Sequence, residues 1–127
     1  YEYTHQGVWG NPREKGGRPL VWPDPARGWD TGHLRRVLAP VREFQERHGA
    51  RIYVGEFSAV SWAPGAERYI RDCTALFAEY GWDWTYHAFR EAPVWDVEQE
   101  GGDYDDMQTA TEDTTRKKAL LDGFRRP

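Results

Sequence analysis

The chain has 127 residues, of which 39% are hydrophobic, 15% aromatic and 30% charged, enough apolar material for one core and at most one domain. The net charge is −4 and the basic residues are scattered, apart from the short run Arg116–Lys117–Lys118, which speaks against a nucleic-acid or anionic-membrane partner. No apolar stretch approaches the ~20 residues that a membrane-spanning helix needs.

The first residue is Tyr1 and the single methionine is Met107, with no charged head and apolar core of a signal peptide, so a processed or truncated start is expected. One cysteine, Cys73, permits no internal disulfide and leaves the compartment open. Seven tryptophans and seven tyrosines suit a surface on which flat rings stack against sugars. They suit a densely aromatic core equally well, and the count alone favours the core.

In chain order, residues 1–29 read as one long loop, because nine glycines and prolines from Gly7 to Gly28 leave no room for a regular element. Trp9, Trp22 and Trp29 are interleaved with them, and an aromatic loop of this length points to a functional role. From Asp30 the pattern becomes helical: Leu34, Val37, Leu38, Val41 and Phe44 recur at the spacing of one buried stripe. Pro40 predicts a kink or break there, since it lacks an amide hydrogen, and Gly49 predicts the stop.

Residues 51–57, RIYVGEF, predict a strand. A second helical stripe follows, with Ala66, Tyr69, Ile70, Cys73, Leu76, Phe77 and Tyr80, closed by Gly81. Residues 82–89, WDWTYHAF, predict a second strand, followed by an acidic loop containing Gly101 and Gly102. A last helix is expected from about Asp113 to Phe124, with Leu120, Leu121 and Phe124 inward.

Two strands joined by a helix of this length should be parallel neighbours with a right-handed crossover. Such a pair cannot stand alone, because parallel sheets need both faces covered. A (β/α)8 barrel typically takes ~250 residues, about twice this length. Side-chain alternation places Ile52, Val54 and Glu56 on one face of the first strand, with Asp83, Thr85 and His87 on one face of the second. That mixed face would line a barrel interior, with Glu56 and His87 near the C-terminal strand ends, where polar residues of such barrels are catalytic. Glu56 inside an apolar run is costly unless paired or hydrogen-bonded. Taken alone, a strand-end glutamate is more often a solvent-facing or ion-paired group than a catalyst.

The stretch ARIYVGEFSAVSWAPGAERYIRDC, followed by GWDWTYHAFRE, resembles the seventh and eighth β/α units of family 5 glycoside hydrolases of the cellulase type. YTHQGV and VLAPVREFQERHGA look like the loop after strand six and helix six of the same proteins. The resemblance is strongest over residues 50–91 and weakest over 9–29 and 92–112. It implies an α/β fold that is a partial (β/α)8 TIM barrel, the last two to three β/α units, with strands 7 and 8 and helices 6, 7 and 8. Residues 1–127 would then be the C-terminal fragment of one catalytic domain, with 1–29 the long loop after strand six.

The resemblance also implies a retaining O-glycosyl hydrolase, with Glu56 as the nucleophile and no cofactor or metal. In that mechanism a second carboxyl, ~5–5.5 Å away, protonates the leaving oxygen and then activates water. The family carries that group in an Asn-Glu-Pro motif, which is absent from this sequence. A His-x-Tyr strand is expected just upstream of Tyr1. The partners implied are a polysaccharide or oligosaccharide substrate and the N-terminal half of the barrel, and the family habit is secretion. The family's usual tryptophan at the end of strand eight is replaced by His87, and the usual Arg-Glu-Trp continues here as Arg90–Glu91–Ala92, which leaves Trp95 as the substitute stacking surface.

Loop residues His5, Gln6, Trp9 and Trp62 would rim the groove as sugar contacts, with structural anchoring of the loops the equal alternative. His87 reads as a sugar-binding group or a neutral structural histidine. Cys73 lies on an apolar stripe and reads as a core residue, and the tract Asp103, Asp105, Asp106 reads as a solvated loop, not a calcium site. The competing reading is a non-catalytic carbohydrate-binding module or an inactive fragment. Such modules are mostly β-sandwiches, against the helical stripes here.

Overall fold

The computed structural model describes residues 21–125 together with the backbone of His5–Gln6. In chain order the elements are strand β1 (His5–Gln6), a 3-10 turn (Pro25–Arg27), helix α1 (Thr31–His48), strand β2 (Tyr53–Ala59), helix α2 (Ala66–Tyr80), strand β3 (Asp83–Tyr86), strands β4 (Gln99–Glu100) and β5 (Gln108–Thr109), and helix α3 (Thr115–Phe124). β1, β2 and β3 form one parallel sheet in that order, with β2 central. Among the described residues the sheet is open and does not close into a barrel. His5 and Gln6, expected in a loop, instead extend the sheet beside Ser58 and Ala59.

Helix α1 starts where the Asp30 carboxylate accepts the His33 amide at 2.8 Å, and it ends on Gly49 in the left-handed conformation. It runs through Pro40 without the break that was one of the two expected outcomes. The bond that Pro40 cannot make belongs to the carbonyl of Arg36, and both residues are exposed, so the loss falls on the solvent side of the helix.

The expected buried stripe of α1 is a second correction. Only Leu34 is buried, while Val37, Val41 and Phe44 are exposed. α1 meets the α2 end through polar groups instead: Arg42 and Gln45 donate to the Tyr80 carbonyl, Arg35 pairs with Glu79, and the Trp82 indole donates to Gln45.

Helix α2 buries its predicted stripe: Ala66, Tyr69, Ile70, Cys73, Leu76 and Phe77 are inside, with Tyr80 at the margin. Its start is fixed by Trp22, which is 2% exposed, edge-on to Tyr69 and bonded through its indole nitrogen to Asp72 at 2.8 Å. A Cβ on Gly65 would lie 1.7 Å from the Trp22 carbonyl oxygen, so only glycine fits there. Trp22 is therefore a structural anchor of the aromatic loop. α3 lies close against α2, where a Cβ on Gly123 would meet Thr74 at 2.8 Å.

α3 turns Arg116, Ala119, Leu120 and Gly123 inward. Leu121 and Phe124, expected inside, are 37% and 61% exposed, although Phe124 stacks on Trp84 at 4.9 Å. Burial pushes the Cys73 thiol far above its ordinary range. In the native chain a thiol reagent such as a dithiobenzoate is expected to leave Cys73 unmodified, with full reaction only in denaturant. Rapid native modification would contradict this burial.

Between β2 and β3 the ladder pairs Tyr53 with Asp83, Val54 with Trp84 and Phe57 with Tyr86. Two residues, Gly55 and Glu56, thus oppose the single residue Thr85, which is a β-bulge. The bulge changes the expected parity. Ile52 and Val54 pack toward the core with Phe57, not on the face of Glu56. Tyr53 takes the open face instead, 62% exposed, with its hydroxyl 3.0 Å from the Thr85 hydroxyl.

Candidate active site

Midway along β2 the bulge turns Glu56 onto the open face while the next residue, Phe57, enters the core. Phe57 fixes that arrangement by edge-on contacts with Phe77, Trp84 and Tyr86 at ring separations of 5.3, 5.4 and 5.5 Å. Beside it, β3 continues past Tyr86, where the His87 amide donates to the Phe57 carbonyl. This places the His87 ring one strand away from Glu56, with Nδ1 3.5 Å from Glu56 Oε1 and 3.9 Å from Glu91 Oε2. The peptide from His87 to Ala88 is cis.

The Glu56 side chain is 57% exposed, so its carboxylate stands open on the sheet face and is not sealed in a structural ion pair. His87 is the more sheltered partner at 25%, and the Trp95 ring lies 6.3 Å from it. A carboxylate held beside an imidazole and an aromatic ring is an arrangement that can attack, orient and stack.

The remaining predicted residues divide. His5 and Gln6 reach the same end of the sheet, because their strand pairs with Ser58 and Ala59, just past Glu56. Trp62 sits half-buried on the loop after β2 and packs edge-on to Tyr104 of the acidic loop at 5.1 Å. Trp9 lies outside the described residues. Among the described residues no group of three or more His, Cys, Asp or Glu is placed to hold a metal ion.

Three groups near the site went unread in the sequence. Glu91 supplies a second carboxylate to His87. Tyr86 turns its hydroxyl toward the carbonyls of Ala59 and Trp95, at 3.3 and 3.2 Å. Arg116 is 3% exposed and spends its guanidinium on carbonyls behind Trp95. Burial raises the Tyr86 phenol, with Arg116 opposing it, and burial lowers the Arg116 guanidinium, with Tyr86 and Asp96 opposing. A signal for Arg116 existed: it shares the inward face with Ala119, Leu120 and Gly123 at three-, four- and seven-residue spacing.

The expected acidic loop is an antiparallel ribbon, β4 against β5, with Asp106 accepting the amides of Gly102 and Asp103 at its turn.

No protein-family profile and no curated protein matches this sequence. Among solved structures, the chain is similar to Thermotoga maritima Cel5A, a family 5 cellulase described in complex with cellobiose. The likeness has a TM-score of 0.61 at 22% identity and covers 96% of this chain. The chain spans about a third of that structure, 35% of its length. The likeness is one of fold: helices and strands arranged as in about a third of that structure, with the described strands not closing into a barrel.

Proposed function

We propose that this chain is the C-terminal part of a retaining β-glycanase barrel, supplying the nucleophile Glu56 but not the acid/base. The observation that carries the reading is the open Glu56 carboxylate on the bare face of β2, 3.5 Å from His87, which follows the C-terminal end of β3, the end at which such barrels hold their chemistry. The cellulase-like fold supports it, and cellobiose in the neighbour points to a β-linked glucan or a related glycan as substrate.

In the proposed reaction Glu56 attacks the anomeric carbon and forms a glycosyl-enzyme ester while the glycosidic bond breaks. A carboxylic acid on another segment protonates the departing oxygen. As carboxylate it then takes a proton from water, which displaces Glu56 and keeps the anomeric configuration. His87 borders Glu56 and contacts a sugar hydroxyl, and Trp95 offers a ring to the sugar's apolar face. The family resemblance adds His5, Gln6, Trp9 and Trp62 as further candidate sugar contacts.

The exposed Val37, Val41 and Phe44 of α1, with Tyr53 and Thr85 on the bare sheet face, fit surfaces that further β/α units would cover. The isolated chain is therefore expected to self-associate and to give no turnover of a soluble aryl β-cellobioside. Turnover should arise when a polypeptide bearing the Asn-Glu-Pro and His-x-Tyr strands is added. Enzyme-like turnover by the chain alone would sink this division of labour.

A further inference from the structure

Arg116 stands in the first turn of α3, after the Thr114 cap, and it is almost fully buried. Among the described residues it makes no ion pair. One arm of its guanidinium donates to Ala59 at 2.9 Å and to Val94 and Trp95 at 3.4 Å. The other donates to Asp96 at 2.8 Å and Gln99 at 2.7 Å. All five acceptors are backbone carbonyls. Ala59 closes β2 three residues beyond Glu56, and the other four belong to residues 94–99, the loop that carries Trp95 and the first residue of β4.

The Tyr86 hydroxyl, at the end of β3, adds a contact to the same Ala59 and Trp95 carbonyls. The Ser61 amide, bonded to the Val94 carbonyl, adds another tie between that loop and the segment after β2. A buried guanidinium costs several kcal/mol unless its donors are met, so this arginine is an expensive way to fill a core position. A planar fork with five N–H donors can hold several carbonyls in one plane, and a lysine ammonium with three donors cannot.

We infer that Arg116 is a positioning residue: through five loop and strand carbonyls it locks the 92–99 segment to the end of β2, and so holds the Trp95 ring beside His87 and Glu56 for a substrate sugar. The substrate half of this statement rests on the proposed glycanase function, while the anchoring half does not.

The test substitutes Arg116→Lys in the full chain labelled with 5-fluorotryptophan, with the Trp95 line assigned through Trp95→Phe. The Trp95 line should move toward the position of free indole, and amide exchange over residues 92–99 should accelerate about tenfold. The lines of Trp22, Trp82 and Trp84 and the exchange of α2 should stay in place. Tyr86→Phe, which keeps the ring and removes only the hydroxyl, should move the same Trp95 line by less, and it decides the matter if Arg116→Lys does not fold. An unmoved Trp95 line in either folded variant, or a uniform loosening of all elements, overturns the anchoring.

In the completed barrel, Arg116→Lys should raise KM for an oligosaccharide about five- to tenfold with kcat within about twofold. The same substitution on a Trp95→Ala background should add nothing. A fall in kcat at unchanged KM, or additive losses, overturns the substrate role. Failure of the Glu56 assignment would appear elsewhere, as turnover surviving Glu56→Gln.

Discussion

Glu56→Gln in the completed barrel is expected to lower kcat at least a thousandfold, about 4 kcal/mol of transition-state stabilisation, while substrate binding stays within a few-fold. The amide keeps the shape of the carboxylate and loses the charge that forms the glycosyl ester. Binding is spared because the stacking ring and the groove rim are unchanged. The measurement is kcat on a soluble aryl β-cellobioside alongside the dissociation constant of a cello-oligosaccharide. A variant that keeps a near-normal rate would show that Glu56 is a polar strand-end residue and nothing more. The carboxylate is more than half exposed, so the loss cannot be attributed to a disrupted core.

The two halves of the molecule differ in how far local sequence governs them. α2 was legible because its apolar positions, its glycine stop and its burial all agree over fifteen residues. α1 carries an equally regular stripe, yet most of that stripe is bare, because periodicity names a face and says nothing of whether a neighbour covers it.

Glu56 lies on the open face of the sheet, but not by the plain alternation read from the sequence. Simple alternation puts Val54 beside it, whereas the bulge at Gly55–Glu56 returns Val54 to the Phe57 side. A bulge depends on how two strands pair, and neither strand encodes it alone. The site's backing was hidden for a related reason. Arg116 looks like part of a solvated basic run until the carbonyls of residues 59, 94–96 and 99 converge on it, and those carbonyls come from two separate parts of the chain, both distant in sequence from α3.

Phe57→Ala tests whether the core under the site is built as described. The ring is 1% exposed and makes edge-on contacts with Phe77, Trp84 and Tyr86, which join α2 and β3 to β2 at the bulge. Truncating a buried phenylalanine costs about 3–5 kcal/mol, a large share of the ~5–15 kcal/mol that a domain has in total. In urea this corresponds to a midpoint lowered by about 2 M, followed by far-UV circular dichroism. Phe57→Leu, which keeps most of the volume, should lose distinctly less. The neighbouring Glu56→Gln should stay within about 0.5 kcal/mol of the parent, as expected for an exposed position outside the packing. Adjacent positions on one strand would then separate cleanly, one carrying turnover and the other the fold that presents it. A Phe57→Ala midpoint within about 0.3 M of the parent would mean that the three rings close over the gap, and that Phe57 is not what fixes the bulge.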